Sequence, residues 1–429
     1  MTAPLNAVIL AAGEGTRLRG RQPKVLTPLW GRPSVLWPLA AAAALKPERT
    51  VVVAGGRSET ALRDVLKKQE GVSVALQSEQ LGTGHAVLAA APALKGASGN
   101  LLVLYGDGPL VTEELLAALV ASHERSGADL TLVAIDLDDP TGYGRVLRGE
   151  DDSVRAIVEE KDCDDEQRQI TEVNAGIMLF DLDAGLQRLA RVGTENAQGE
   201  IYLTDLVEIT VAGGGRVEAL CWDEPEDVLG FNDQHELAMV RSLLRERILE
   251  GLMQKGVEII DPATTYVDVT AHIETGARLL PCTVIEGKVS VASGCDVGPF
   301  ARLRDGTVLE HNVRVGNFVE TKNSRLQPGV KAGHLTYLGD TQVGVDTNVG
   351  AGTITANYDG VHKHKTTIGA RAFIGSGTVL VAPTTMADGS RTGAGAIVTR
   401  GSKLAADSTW VGVPARPLDV DQPTPKGSS

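Results

Sequence analysis

The chain has 429 residues, 42% of them hydrophobic and only 3% aromatic, with 49 glycines and a formal net charge of −14. That length supplies more than one packed domain, and so acidic a chain excludes a general nucleic-acid or membrane-surface binder while leaving room for phosphates held by a few local cations. The four cysteines (Cys163, Cys221, Cys282, Cys295) form no CxxC pair and have no histidine at metal-ligand spacing, as expected of free thiols in a reducing cytoplasm. Met1–Asn6 lacks a basic leader, and Ala7–Ala12 is far shorter than a membrane span.

From the N-terminus, the apolar runs Ala7–Ala12, Thr50–Ala54, Val72–Leu76 and Leu101–Tyr105 alternate with helical stretches such as Ser58–Lys68 and Gly84–Ala93. This order predicts an α/β domain over residues 1–230 with a largely parallel central sheet, which Leu130–Asp136 and Val173–Phe180 extend. Phe231–Lys255 contains no proline and repeats Leu237, Val240, Leu244, Ile248 and Leu252, predicting one connecting helix over 231–255. Beyond Gly256 the period changes to six. Val267, Ile273, Leu279, Ile285, Val291, Val297, Leu303, Leu309 and Val315 follow without a miss. The pattern resumes at Leu326, Ala332 and Leu338, shifts by one to Val343 and Val349, and returns at Ile368, Ile374, Leu380, Met386 and Val398. A six-residue apolar repeat predicts a hexapeptide-repeat parallel β-helix over 256–418, each hexapeptide forming one flat side of a triangular coil. The polar interruption Ala356–Thr367 predicts a loop thrown out from the coils, where function concentrates. The polar, proline-rich stretch 419–429 is expected to be disordered.

The first strand runs directly into Gly13-Glu14-Gly15-Thr16-Arg17-Leu18, followed by Pro23-Lys24-Val25-Leu26. Glycines let backbone N–H groups approach phosphate oxygens, Arg17 can fork two of them, and Lys24 can neutralise a third. The segment is neither a dinucleotide fingerprint nor a Walker loop. In the repeat region Arg304, Lys322, His334 and Tyr337 are residues that a pure scaffold does not need.

The front segments LAAGEGTRL and PKVL resemble the signature of sugar-nucleotide pyrophosphorylases. The similarity continues through Gln77…Gln80-Leu81-Gly82-Thr83-Gly84-His85-Ala86, Tyr105-Gly106-Asp107, Gly142-Tyr143-Gly144-Arg145, Ile157–Lys161, Asn174-Ala175-Gly176 and Gly230-Phe231-Asn232. Together with the repeats, it resembles the bacterial bifunctional UDP-N-acetylglucosamine pyrophosphorylase/glucosamine-1-phosphate N-acetyltransferase family over nearly the whole chain. The resemblance implies a Rossmann-like mixed-sheet nucleotidyltransferase followed by a left-handed β-helix acetyltransferase. It further implies that Leu10, Ala11, Ala12, Gly13, Gln77, Gly82 and Thr83 hold the uridine of UTP, with Gln77 reading the uracil edge. Tyr105 and Gly106 would join the nucleotide-sugar site, Gly144, Glu159 and Asn174 would contact the amino sugar, and Asp107 and Asn232 would ligate Mg²⁺, with Lys24 and Arg17 as the catalytic cations. On its own, Asn232 also reads as a helix N-cap, and Asp107 as a turn residue after a strand.

For the back half the resemblance implies His334 as general base toward the amine of glucosamine 1-phosphate. Arg304 and Lys322 would hold its phosphate, with Tyr337, Asn348 and Asn357 on the sugar. Ala351, Asn357, Tyr358, Ser376 and Ala394 would line the acetyl-CoA path. The chain departs from the family pattern in two places. Asp305 stands where proline is frequent, and Gly412 where a basic CoA contact is usual, with Arg416 the nearest substitute. The implied product is UDP-N-acetylglucosamine for envelope polymers, made from N-acetylglucosamine 1-phosphate by a cytoplasmic homotrimer without nucleic-acid or membrane partners. Two alternatives stay open from sequence: a single-activity pyrophosphorylase with a structural β-helix, and a non-catalytic nucleotide-sugar scaffold.

Overall fold

The structure, a computed structural model, describes residues 3–13, 15–20 and 22–418; the tail expected to be disordered lies outside the described residues. Contacts divide the chain into two compact units after Leu243. The division falls within the helix Gln234–Gln254, three residues shorter at its N-terminal end than the apolar pattern suggests. Asp233 stops it there: its carboxylate accepts from the N–H groups of His235 (2.8 Å) and Glu236 (2.9 Å), satisfying donors that have no partner inside the helix.

The front unit is built on β1 (Leu5–Ala11), β2 (Arg49–Gly55), β3 (Val72–Gln77), β4 (Asn100–Tyr105), β5 (Leu130–Asp136), β6 (Arg145–Arg148), β7 (Val154–Val158), β8 (Glu172–Asp181) and β9 (Val217–Cys221). The main sheet runs β9-β5-β8-β4-β1-β2-β3. Its central strands are continuous Val/Leu/Ile/Ala runs because helices cover both faces and leave no side for alternation. Strand β8, read from sequence as an extension of a largely parallel sheet, does extend it but runs antiparallel to both β4 and β5. The sheet is mixed. The β6–β7 hairpin attaches through Arg145 opposite Val173. Strands β2 and β4 flank β1 in parallel, so strand order reverses at β1 and a crevice opens at its carboxyl end.

The back unit is a left-handed parallel β-helix with three flat faces. One face passes through Lys331–His334, Asn348–Val349 and Phe373–Ile374; the second through Arg302–Leu303, Glu320–Lys322 and Tyr337–Gly339; the third through Arg325–Leu326 and Thr341–Val343. Arg302 lies opposite Glu320 one coil on, an offset of 18, whereas Glu320 to Tyr337 and Tyr337 to Ile354 are offsets of 17. The deleted residues explain the phase shift in the apolar repeat. Ile354 to Val379 is an offset of 25, and the excess is the protruding loop.

The apparent misses in the repeat are threonines. Thr321, Thr355 and Thr392 occupy the inward slots and are buried. Their hydroxyls are satisfied inside: Thr321 by Thr307 (3.1 Å), Thr392 by Thr378 (2.9 Å), and Thr355 by the Gly339 N–H (2.8 Å). A buried hydroxyl with a partner costs little, so threonine serves as a β-branched filler.

Leu338 is fully buried at the centre of this column. We expect Leu338→Ala to destabilise the β-helix by about 2–5 kcal/mol through lost transfer energy and a residual cavity. Thermal unfolding of the full chain should show the second unit's transition moving down while the first unit's stays in place.

Candidate functional site

In the front unit a cleft of about 360 Å³ opens at the carboxyl ends of β1, β3 and β4. Leu10, Ala12, Gly13, Arg17, Lys24, Gln77, Gly82, Thr83, Tyr105, Asp107 and Asn232, all singled out from sequence, line it. Ala11 is buried in β1 behind them, and Gly106 is tied to that strand through its N–H to the Leu10 carbonyl (2.8 Å). Gly15, Val25, Gln80, Ala86 and Glu200 complete the lining. Gln80 was quoted in a motif without a role; its amide donates to the Ala12 carbonyl at 2.8 Å and holds the glycine turn. Gly82 has φ +105°, and a Cβ there would sit 2.5 Å from the Ile201 carbonyl oxygen, so no other residue fits. The Gln77 amide donates to the Gly82 carbonyl (3.0 Å) and contacts His85 Nδ1 (3.1 Å).

Lys24 is nearly buried and lies over the Phe231 ring, 5.5 Å from its centroid. Its ammonium pairs with the Asp107 carboxylate and donates to Asn232 Oδ1 at 2.9 Å. Two oxygens from distant parts of the chain thus converge on one cation. Asn232 does not cap the helix, since Asp233 does; its oxygen accepts from the same Lys24 ammonium that Asp107 pairs with. Lys24 acts here as a stand-in cation. Two hard oxygens facing this cleft are a fitting partial set for Mg²⁺, which commonly keeps waters and takes phosphate oxygens beside one or two carboxylates.

Behind Tyr105 a second group of polar residues assembles. Gly144 and Glu159 are neighbours, and the Gly144 carbonyl accepts from Asn174 N–H at 2.8 Å. Burial raises the Glu159 carboxyl, with Asp162 adding to it, against a 2.9 Å hydrogen bond from Thr204. Burial also raises the Tyr105 phenol, helped by the nearby Glu159 and Asp107 carboxylates. Thr204 and Asp205 were not picked out from sequence, because a Thr-Asp pair before a helix reads as an ordinary cap.

In the back unit the register creates columns. Leu303 lies opposite Thr321 and Lys322 opposite Gly339, which stacks Arg304, Lys322 and Gly339 at one end of the second face. Arg304 pairs with Glu320 at 2.7 Å. Lys322 is held below the usual lysine range, first by the adjacent Lys363, then by desolvation and by Arg304, against the Asp340 carboxylate, which pulls the other way; three cations converge, offset only by Asp340 and by Glu320 beside Arg304. Lys363 was missed as an individual residue, although its loop was singled out. Gly339 leaves space that the Tyr337 hydroxyl and the Asn357 amide occupy, 2.5 and 2.7 Å from where a Cβ would be.

His334 stands at the other end of that face, at the corner where the first face turns into it, and its side chain is exposed. Its Nδ1 lies 2.6 Å from Asn317 Oδ1, one coil below. An amide oxygen only accepts, so Nδ1 carries the proton and Nε2 is left bare to take one. Asn317 was overlooked in the sequence, where it reads as a turn residue. Along the same corner, Ala351, Ser376 and Ala394 follow His334 coil by coil. The carbonyls of His334, Ala351 and Ser376 accept in turn from Gly352, Gly377 and Gly395. Small side chains leave a track above the histidine. Tyr358 projects from the loop, 59% exposed. Asn348 is not with these residues: it sits in the ladder of Lys331 and Phe373, on the first face.

The two departures resolve differently. Asp305 Oδ1 accepts from the Lys288 N–H at 2.7 Å, so the carboxylate caps the preceding turn rather than opposing Arg304. Arg416 pairs with Val411 in the terminal hairpin, beside Gly412 at the upper end of the corner track.

A parallel-sheet crevice with a glycine turn and a lysine–carboxylate–amide cluster, followed by a β-helix with a bare histidine and three converging cations, defines a two-domain transferase. Residues 7–171 match the MobA-like NTP transferase domain family. The chain is 43% identical over 435 residues to the bifunctional protein GlmU of Trichlorobacter lovleyi, covering 94% of this chain and 93% of that one. It is 48% identical over 412 residues to GlmU of Thermus thermophilus (88% and 89% covered) and 44% identical over 414 to that of Paracoccus denitrificans (92% and 91%). The chain belongs to the GlmU family of bifunctional proteins.

The carboxyl of Asp205 is pushed up to about 6, by burial first and then by Glu208, Glu159 and Asp162. A raised carboxyl favours folding while protonated, so its contribution is complete below the unfolded value of 3.8 and disappears as pH rises through about 6. We expect the first unit's melting temperature to fall less between about pH 4 and 7 in Asp205→Asn than in the parent. Parallel slopes in the two proteins would rule out this titration.

Proposed function

We propose that the chain makes UDP-N-acetylglucosamine in two steps, one per unit, and that the residues described above carry them. The back unit transfers acetyl from acetyl-CoA to glucosamine 1-phosphate. The front unit then joins the resulting N-acetylglucosamine 1-phosphate to UMP from UTP. The observation that carries this reading is the coexistence of two complete polar clusters in one chain of a bifunctional family. A single-activity enzyme would need neither the His334–Asn317 pair nor the converging cations.

In the front unit a phosphate oxygen of the sugar attacks the α-phosphorus of UTP in line, and pyrophosphate leaves. Charge must be neutralised and the reactants aligned, with no protein nucleophile. The glycine turn and Arg17 take phosphate oxygens, while Gln77, Gly82 and Thr83 seat the base. Glu159, Asn174 and Gly144 receive the amino sugar. Mg²⁺, held by Asp107 and Asn232, would supply charge neutralisation at the phosphates. Lys24, released from those oxygens, would then be free to turn to a phosphate oxygen.

In the back unit Arg304, Lys322 and Lys363 take the sugar phosphate, and the corner track of Ala351, Ser376 and Ala394 takes the extended arm of acetyl-CoA. Tyr358 and Arg416 would contact the carrier further along. The amine nitrogen attacks the thioester carbonyl, His334 Nε2 accepts the amine proton, and the thiolate of CoA leaves and is reprotonated. Asn317 holds the imidazole in the productive tautomer.

We further read the working unit as a homotrimer. Phe300, Phe318 and Leu335 form an exposed apolar ridge beside His334, with the two phenyl rings stacked at 5.2 Å. Each adopts a positive φ near 50°, a conformation bulky residues rarely take. Asn348 lies on a different face from Tyr337, and packing of prisms side by side would bring such faces together. Light scattering should report three times the chain mass; an active monomer throughout the working concentration range would overturn this. The absence of disulfides among the described residues suits a cytoplasmic enzyme, and no helix among them is long and apolar enough to cross a membrane.

Mass spectrometry of products from glucosamine 1-phosphate, acetyl-CoA, UTP and Mg²⁺ tests the whole reading. We expect His334→Ala to lose about 10²–10⁴-fold in acetyl transfer and to keep uridylyl transfer at the parent level. Asp107→Ala should show the reverse. If His334→Ala acetylates at the parent rate, the β-helix is a scaffold.

A further inference from the structure

The loop between Ala356 and Thr366 is an ordered short hairpin. His364 N–H donates to the Asn357 carbonyl (2.8 Å), Tyr358 bridges Lys363, and Asp359 N–H donates to the His362 carbonyl (3.2 Å). At its tip the Asp359 carboxylate collects four groups. Its Oδ1 accepts from the N–H groups of Val361 (3.0 Å) and His362 (2.7 Å). Its Oδ2 meets His364 Nε2 (2.7 Å) and Arg400 Nη1 (3.3 Å). Arg400 belongs to another coil, in the turn after Ile397–Val398, so the contact ties the hairpin to the wall it overlies. Arg400 Nη2 also lies 3.1 Å from His364 Nε2. One imidazole nitrogen cannot donate to a carboxylate and accept from a guanidinium together, so Asp359 is the shared acceptor that holds both.

The anchored hairpin carries Lys363 on one strand and Asn357 on the other. Lys363 is thereby held beside Lys322, and Asn357 over Gly339 beside the Tyr337 hydroxyl, its amide donating to the Asp340 carboxylate. Like charges at that range repel, and an unanchored loop bearing Lys363 would swing away from the other two cations. A phosphate dianion would then have to recruit the loop as well as bind. Preorganisation removes that cost from binding. Isolated exposed ion pairs contribute little, but this cluster shares one carboxylate among two backbone N–H groups, an imidazole and a guanidinium.

We propose that Asp359, His364 and Arg400 form a latch that positions Lys363 and Asn357 against the sugar-phosphate site of the β-helix. They are positioning residues: none touches substrate, and each acts through the hairpin. The inference rests on the acetyltransferase reading of the back unit.

The test uses the full-length chain and compares Arg400→Ala, Asp359→Asn and His364→Ala with the conservative His364→Gln, whose amide can still donate to Asp359. The KM for glucosamine 1-phosphate should rise at least about tenfold in the first three, with kcat within about threefold of the parent and uridylyl transfer unchanged. His364→Gln should restore most of the affinity. Hydrogen exchange at residues 357–365 should accelerate in the disabling variants and slow on addition of glucosamine 1-phosphate. Unchanged KM in Arg400→Ala and Asp359→Asn, whatever happens to stability, overturns the latch. If instead the parent neither binds nor acetylates glucosamine 1-phosphate, the acetyltransferase reading itself has failed.

Discussion

Parallel strands that hydrogen-bond in register turn sequence spacing into spatial columns, and both sites depend on this. In the β-helix a coil repeats the last after 17 or 18 residues, or 25 where the loop is inserted, so residues a coil apart stack directly. His334 therefore meets Asn317, and Arg304 is stacked with Lys322. In the front unit the same constraint aligns the carboxyl ends of β1, β3 and β4, and the segments leaving those ends supply nearly all the cleft. The backbone cannot slip by one residue without turning every inward side chain outward. Register is thus held by the core, and the site inherits it.

Each site also presents cations, and the two differ in how the protein offsets them. At Lys24 the structure offers an internal compromise, with Asp107 and Asn232 as partners. At Lys322 the offset is weaker: Lys363 and Arg304 sit close, and only Asp340 and, beside Arg304, Glu320 act against them. Such repulsion is tolerable because the groups are near solvent, where the effective dielectric is high. Holding it in place still requires rigid walls, which the coil stack provides, and an anchored loop, which Asp359 and Arg400 provide.

Threonine is the quiet component of this architecture. Where the six-residue pattern lacks an aliphatic residue, a buried threonine fills the slot and spends its hydroxyl on a neighbour. Thr355 does more, because its hydroxyl accepts from the Gly339 N–H beneath the place where Tyr337 and Asn357 meet. Packing and site geometry are joined at that one residue.

The sequence by itself determined the two folds, the position of the coil interruption, and the residue types of both sites. Apolar period and glycine placement are local properties, and backbone sterics and burial act on them directly. Lys24, His334 and Lys322 were legible for a related reason, since each breaks a pattern the scaffold would otherwise keep, whereas Asp107 and Asn232 were singled out only through the family resemblance. Tertiary structure alone decided the antiparallel course of β8, since a strand's direction depends on what it pairs with. It alone showed that Asp233 rather than Asn232 caps the helix, and that Asp305 turns toward Lys288. Asn317, Lys363 and Arg400 became visible only through register and loop closure, because their partners lie 17 to 41 residues away. A hydrogen bond across coils leaves no periodic trace in a chain, and two residues that must meet in space need share no pattern along it.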